Sequence, residues 1–148
     1  MPYKQIKLSV KYIGGRTLKA PPVITDSHSA AYTARTIHDQ NTLLWKETAY
    51  ILCLNSHNTL LGWNCLATGG MDTVCFDIRI IATIALKTIS TGIIITHNHP
   101  SGCVLPSVQD IQITRRIKSA LEIIGINLLD HIILTDQDHF SMKEACLF

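Results

Sequence analysis

The sequence predicts a single α/β domain in which helices cover both faces of a mixed β-sheet, giving three layers. The 148 residues, of which 47% are hydrophobic, have the size and composition of one folded core. Apolar residues recur with a period of two in some segments and near 3.6 in others, as in strands and helices respectively. These segments follow one another as strand, helix, hairpin, helix, strand, helix and strand. That order is typical of an α/β domain with a mixed sheet.

The first predicted elements are a strand and a helix at the N-terminus. Residues 3–13 alternate apolar side chains with lysine and serine, which indicates a half-buried strand. Either Asp26 or Ser27 can cap a helix that runs to about Gln40, because an alanine-rich apolar stripe follows at helical spacing.

A β-hairpin is predicted next. Residues Thr48–Leu54 are apolar on both faces, as expected for a strand in the interior of a sheet. Asn55–Asn58 has the composition of a tight turn, and Thr59–Ala67 is the returning strand.

The second half of the chain alternates helices with short, strongly apolar strands. Its predicted elements are a helix from about Asp77 to Thr88, a buried strand Gly92–Thr96, a helix Ser107–Ile124 that stops at Gly125, a strand Ile126–Thr135 and a terminal turn Ser141–Leu147.

Composition and charge narrow the class of protein. No apolar run reaches the roughly 18–20 residues of a membrane span, and the N-terminus lacks the continuous apolar region of a secretory signal. The five cysteines show no CxxC spacing and are expected to be reduced thiols, which indicates the cytoplasm. The net charge of +2 neither requires nor excludes a nucleic-acid partner, although DNA-binding proteins usually carry a basic stripe.

Several metal-capable side chains lie within the segment THNHPSGCVLPSVQD. His97 and His99 directly follow a buried strand, and residues two apart in an extended chain point to the same side. A catalytic zinc needs three protein ligands and an open position. Asp110 is the candidate for the third ligand, since the helix that starts at Ser107 can return beside the histidines. Ser107 and Asp110 are neighbours on its first turn.

Other interpretations of the same residues are open at this point. Two histidines at this spacing can form a half-buried pair without a metal. Ser107 and Asp110 also match a capping box, in which their side chains satisfy backbone amides. Capping leaves the histidines without a role, whereas zinc accounts for three residues together. Cys103, in the loop after His99, is a spare thiolate candidate.

The motif resembles that of a known enzyme superfamily. The string His97-Asn-His-Pro followed by Ser107 and Asp110 resembles the signature of the JAMM (MPN/JAB-domain) metalloproteases. The fuller string HNHPSG…PS..D is similar to the RadC branch of that superfamily, found in bacteria. The resemblance assigns residues 44–148 to a RadC-like JAB/MPN domain and residues 1–43 to an N-terminal strand and helix extension. Further matching segments are Lys46-Glu47, Gly69-Gly70, Asp77-x-Arg79, Leu129-Asp130-His131 and Ser141.

The resemblance implies a fold, an activity and a set of site residues. The fold is that of JAB/MPN domains, which is cytidine-deaminase-like. His97, His99 and Asp110 match the ligands of one zinc ion per protomer. Ser107 matches the serine that helps to hold the oxyanion of the tetrahedral intermediate. Glu47 matches the glutamate that takes the proton of the attacking water. The expected function is a zinc-dependent hydrolase with a peptide or isopeptide substrate.

Three points stay open after the resemblance. Glu47 can instead be a solvated residue paired with Lys46. Asp130 and His131 are expected to make structural hydrogen bonds, with the orientation of a metal ligand as the alternative. Longer RadC proteins carry an N-terminal helical region suited to DNA binding, and no such pair of helices precedes residue 44. This departure weakens a DNA-repair interpretation inherited from the family. A DNA-repair or recombination accessory with a structural or vestigial metal site is nevertheless the competing function.

Overall fold

The computed structural model describes residues 20–69 and 76–148. The strand predicted for residues 3–13 lies outside these ranges, as does Gly70 of the predicted Gly69-Gly70 segment. The described residues form α1 (Ser27–Ile37), β1 (Thr48–Leu54), β2 (Leu60–Thr68), α2 (Ile78–Lys87), β3 (Gly92–Asn98), α3 (Val108–Ile123), β4 (Asn127–Leu134) and β5 (His139–Ser141).

The five strands form one mixed sheet in the order β2-β1-β3-β4-β5. Only the β3–β4 pair is parallel among them, and α3 provides the crossover that a parallel pair requires. The other pairs are antiparallel. The side chain of Asn55 closes the β1–β2 turn by accepting hydrogen bonds from the backbone amides of His57 and Thr59, both at 2.9 Å. The predicted mixed sheet is therefore confirmed.

Helices pack on both faces of this sheet, which confirms the three-layer architecture. Alternate residues of β1 serve opposite layers, because successive side chains of a strand point to opposite faces. Leu52 and Leu54 pack with the alanines of α1, whereas Ile51 and Cys53 pack with residues of α2 and α3. The central strand β3 is buried along its whole length. The two apolar layers thus hold β1 and β3 rigidly in the middle of the molecule.

Local sequence signals account for the start of α1 and the end of α3, but not for the end of α1. Asp26 caps α1 through a capping box with Ser29, and Gly125 follows α3 with φ +71°, a conformation that favours glycine. α1 ends at Ile37, earlier than the predicted Gln40. The reason is tertiary: the His38 ring is fully buried and lies 3.0 Å from the hydroxyl of Thr96 on β3.

The last strand, β5, was not predicted, since its three residues are too few to display an alternating pattern. It pairs with β4 through contacts such as Ile132 opposite Ser141. Among the residues that the structure describes, no helix combines the length and apolar character that a membrane span would need.

Candidate metal centre

Two paired strands and the start of α3 bring the predicted site residues together. β1 and β3 pair with Ala49 opposite His97, so Glu47, two residues before Ala49, lies beside the end of β3 that carries the histidines. The chain then turns through Gly102, whose φ of +78° favours glycine. α3 begins beside the histidines and places Asp110 in its first turn.

Four side chains converge at this point. The Nε2 atoms of the two histidines are 2.9 Å apart. The Nε2 atom of His97 lies 3.4 Å from Oδ1 of Asp110, and that of His99 lies 3.7 Å from Oδ2 of the same residue. Oε1 of Glu47 is 4.0 Å from Nε2 of His97. Two facing ring nitrogens at 2.9 Å require a proton or a cation between them, because bare lone pairs repel.

These distances fit a small metal ion. Zinc binds nitrogen and oxygen at about 2.0–2.1 Å in a tetrahedral arrangement, which separates ligand atoms by about 3.3 Å. The histidine and Asp110 contacts, from 2.9 to 3.7 Å, bracket that separation. The described residues can therefore hold a metal ion at this position.

Both carboxylates stand close enough to take part. Ligand atoms of Glu47, His97 and His99 lie within 4.8 Å of one another, so a Glu/His/His set can also hold a metal. Asp110 approaches both histidines more closely than Glu47 approaches His97. Asp110 is thus the nearer of the two candidate carboxylate ligands, and the Glu47 carboxylate lies farther from His97. Because Glu47 is only 7% exposed, it is not the solvated residue that the alternative interpretation described.

Capping and metal binding turn out to be compatible uses of Asp110. Its Oδ2 accepts hydrogen bonds from the Ser107 amide at 2.8 Å and from the Ser107 hydroxyl at 2.7 Å. The Asp110 amide donates in return to the Ser107 hydroxyl at 3.1 Å. The predicted capping box is therefore present. It fixes the carboxylate while Oδ1 faces His97.

The protonation states suit metal ligands. Burial lowers the pKa of His97 well below its ordinary value, so its ring is neutral near pH 7. Burial opposes ionisation of Asp110, but the neighbouring His99 and His97 rings and the hydrogen bonds from Ser107 outweigh it and lower the pKa of the carboxyl. The nearby carboxylate of Asp110 raises the pKa of His99. Binding of a metal at His99 would therefore compete with protonation of its ring.

The orientation of the His99 ring is set by the loop that follows it. Its Nδ1 lies 2.7 Å from the carbonyl oxygen of Cys103, and a carbonyl can only accept a hydrogen bond. Nδ1 therefore carries a hydrogen and Nε2 faces the cluster. Cys103 contributes its carbonyl to this arrangement, and its side chain is not one of the converging groups.

Asn98, between the two histidines, is a site residue that sequence reasoning missed. Its amide nitrogen donates to the carbonyls of Leu43 and Lys46, both at 2.8 Å. Its Oδ1 accepts from the amide of Thr48 at 2.8 Å and from the Thr48 hydroxyl at 2.9 Å. These bonds clamp the segment on either side of Glu47 to the end of β3. The available signal was its position inside the HNHP string.

The contact of His131 with a candidate ligand bears on the alternative that the sequence left open for this residue. The Nε2 atom of His131 lies 2.8 Å from Nδ1 of His97, and its Nδ1 lies 2.6 Å from the hydroxyl of Thr114. Burial lowers the pKa of His131 to about 4. This direct contact supports the alternative that His131 orients a metal ligand, namely His97. Asp130 has the structural role expected of it, since it accepts from the Ser141 hydroxyl at 2.6 Å.

Comparison with known proteins gives the family. The family model for the RadC-like JAB domain matches residues 24–147, a range that includes α1. A UPF0758 protein of Porphyromonas gingivalis is 40% identical over 125 residues, covering 84% of this chain and 54% of the relative. A UPF0758 protein of Carboxydothermus hydrogenoformans is 45% identical over 103 residues, covering 70% of this chain and 46% of the relative. The chain thus spans about half the length of the curated relatives it matches. With its α/β architecture and its cluster of metal-capable side chains, the chain belongs to the RadC-like JAB domain family.

Proposed function

We propose that the chain is a zinc-dependent hydrolase of amide or isopeptide bonds, with His97, His99 and Asp110 as the metal ligands. The observation that carries the proposal is the convergence of these three side chains with a second, buried carboxylate, that of Glu47, 4.0 Å from His97. Structural zinc sites are usually closed by four protein ligands, whereas catalytic sites use three and keep a position open. Three near ligands and one withdrawn carboxylate match the catalytic arrangement.

The chemistry divides between the metal and the chain. When bound, zinc would polarise the scissile carbonyl and lower the pKa of a water molecule to about 7. Glu47 would accept a proton from the attacking water at its carboxylate and pass it to the leaving amine. Its burial supports this role, because a desolvated carboxylate exchanges protons with substrate and water in the site rather than with bulk solvent.

Ser107 would stabilise the oxyanion of the tetrahedral intermediate through its hydroxyl. In this structure that hydroxyl donates to Oδ2 of Asp110 at 2.7 Å. Donation to an oxyanion therefore requires rotation of the hydroxyl towards the substrate. The Ser107 amide, which also donates to Oδ2, would hold Asp110 in place during that rotation.

The first part of the test is metal content. The purified protein, loaded with an equimolar mixture of Zn²⁺ and Fe²⁺ and then dialysed, should retain about one zinc per chain by elemental analysis. Asp110→Asn should lose the metal, and Glu47→Gln should keep it. Two histidines with one carboxylate are also the ligand set of Fe²⁺ oxygenases, so a preference for iron would redirect the proposal to oxidative chemistry. Absence of any metal in the wild type would refute it.

The second part of the test is catalysis. A library of quenched fluorescent peptides and a lysine-linked isopeptide should be cleaved by the zinc-loaded wild type and not by Glu47→Gln. The competing function predicts salt-dependent binding of single-stranded or duplex DNA that survives chelation of the metal. Such binding, with zinc bound and no hydrolysis in either substrate set, would favour a DNA-binding accessory.

A further inference from the structure

A line of hydrogen-bonding groups runs from α3 to the metal-facing side of His97. Thr114 and His131 are fully buried, as is the His97 ring. The Thr114 hydroxyl lies 2.6 Å from the carbonyl oxygen of Asp110 and 2.6 Å from Nδ1 of His131. Nε2 of His131 then lies 2.8 Å from Nδ1 of His97. The line joins two candidate ligands, Asp110 and His97, through two residues that are not themselves ligands.

The hydrogens along this line can be assigned from the contacts. A carbonyl oxygen only accepts hydrogen bonds, so the hydrogen of the Thr114 hydroxyl must lie towards Asp110 at 2.6 Å. The sulfur of Met142, 3.6 Å from the same hydroxyl, is a second acceptor for that one hydrogen. In either position the hydrogen is not available to His131. The Thr114 oxygen therefore accepts, and Nδ1 of His131 donates to it.

The position of the hydrogen on His131 determines its position on the His97 ring. A fully buried imidazole favours its neutral form, which carries one hydrogen. With that hydrogen on Nδ1, Nε2 of His131 is an acceptor, so Nδ1 of His97 must donate to it across 2.8 Å. The neutral His97 ring then has no hydrogen on Nε2. That bare nitrogen is the atom that faces His99 and Asp110.

We propose that Thr114 and His131 are positioning residues that fix the tautomer of His97, so that its Nε2 lone pair is always presented to the metal. This inference rests on the proposed metal site. It explains why the Nε2 atom of His97 is free of hydrogen and available to a metal ion. The alternative tautomer of His131 would place a hydrogen on its Nε2. It would then donate to Nδ1 of His97 and move the hydrogen of that ring to Nε2, where it blocks the metal.

The packing around the two rings supports the assignment, since it holds both ring planes. Phe76 meets His97 edge to face with ring centroids 6.1 Å apart and meets His131 in the same way at 5.8 Å. The two imidazoles are therefore held by an apolar ring as well as by their hydrogen bonds. Selection between tautomers is left to the Thr114 hydroxyl at the end of the line.

The test uses a pair of substitutions at Thr114, which contacts the backbone of Asp110 and the His131 ring but neither the metal position nor His97. Thr114→Val keeps the branched shape and removes the hydroxyl. Thr114→Ser keeps the hydroxyl and removes a methyl group. Thr33→Val is the matched control, because Thr33 is also a buried helical threonine but belongs to α1 on the other face of the sheet. Melting temperatures confirm that each variant is folded before metal affinity is compared.

Two measurements are made. Zinc affinity, from competition with a chromophoric chelator, should fall about 10–100-fold in Thr114→Val, the usual effect of removing a group that orients a ligand. Thr114→Ser and Thr33→Val should bind zinc as the wild type does. Long-range ¹H–¹⁵N correlation spectra of the metal-free protein should show His131 and His97 protonated at Nδ1 in the wild type and in Thr114→Ser. In Thr114→Val this single tautomer should be lost.

The possible outcomes distinguish the proposed relay, the hydrogen-bonded line Thr114–His131–His97, from the metal site itself. A wild type that binds zinc together with a Thr114→Val variant of equal affinity would overturn the relay and leave the metal site standing. So would a wild-type spectrum with His131 protonated at Nε2. A wild type that binds no zinc would refute the metal site and, with it, the role of the relay in metal binding. A zinc loss shared by Thr33→Val would assign the effect to stability and overturn the relay.

Discussion

Replacing Asn98 by aspartate should test the clamp that holds Glu47 beside the histidines. Asn98 is fully buried, and its two amide hydrogens each serve a carbonyl, those of Leu43 and Lys46, at 2.8 Å. The substitution Asn98→Asp keeps size and shape but replaces this donor by an oxygen. An ionised carboxylate would then face two carbonyl oxygens in a site without solvent, so we expect the new carboxyl to stay protonated in the folded protein.

The cost of that substitution has two parts. Holding a carboxyl neutral at pH 7, when its pKa in the unfolded chain is about 3.9, costs about 4 kcal/mol at 1.36 kcal/mol for each pH unit. A protonated carboxyl has only one hydrogen, so one of the two carbonyls is left unpaired, which costs about 1–3 kcal/mol more. The free energy of unfolding should therefore fall by about 5–7 kcal/mol at pH 7, a large share of the 5–15 kcal/mol typical of a domain.

The pH dependence of this loss distinguishes the mechanism from simple repacking. The new carboxyl has a raised pKa in the folded protein, so its penalty is full at neutral pH and shrinks as the pH falls towards the unfolded value. Urea denaturation of the metal-free proteins should give a deficit that decreases to about 1–3 kcal/mol near pH 4, where only the unpaired carbonyl remains.

Asn64→Asp is the matched control, because Asn64 is exposed on the edge strand β2. That variant should change stability by no more than about 0.5 kcal/mol. A deficit at Asn98 that is independent of pH, or one no larger than at Asn64, would refute the account of the clamp.

Other predictions concern catalysis, capping and acid stability. Glu47→Gln should keep zinc and lower turnover by about 10²–10⁴-fold, since it removes the proton acceptor; unchanged turnover in a peptidase assay would give that role to another group. Ser107→Ala should lower turnover by about 10²–10³-fold and stability by about 1 kcal/mol, because it also removes a cap; a loss of stability alone would leave only the capping role. Burial lowers the pKa of His38 to about 4, below its value of about 6.5 in the unfolded chain. Its contribution to stability is therefore present above pH 6.5 and lost as the pH falls to 4, on the order of 3 kcal/mol. Denaturation curves at pH 7 and pH 4 should show a smaller acid loss in His38→Gln than in the wild type, and equal losses would contradict this assignment.

Local patterns determined most of the secondary structure and the heart of the candidate site. The predicted strand Thr48–Leu54 has the bounds seen in the structure, because its apolar run is closed by an asparagine-rich turn. The start of α3 follows from Ser107 and its end from Gly125, both of which act within one turn of the chain. The closeness of His97 and His99 is equally local, since residues two apart in an extended chain point to the same side.

Tertiary structure decided which further groups reach those histidines. The antiparallel register of β1 and β3 brings Glu47 near His97 and joins its neighbour Thr48 to Asn98, 50 positions away in the sequence. His131 reaches His97 only because β4 lies parallel to β3, with His131 opposite Ile95. Strand register and crossover are fixed by the packing of both sheet faces at once, and a periodic pattern along one segment records only which of its own residues are apolar.

The early end of α1 and the strand β5 depend on the same cause. His38 leaves the helix because its ring is buried between hydroxyls that belong to β1 and β3. β5 exists because β4 offers an edge to pair with, and its three residues could not form a strand alone. The sequence by itself thus specified most of the elements, though not β5, and the two histidines. The packing of the sheet determined which other residues surround those histidines, because hydrogen-bond partners distant in sequence are brought together only when the core forms.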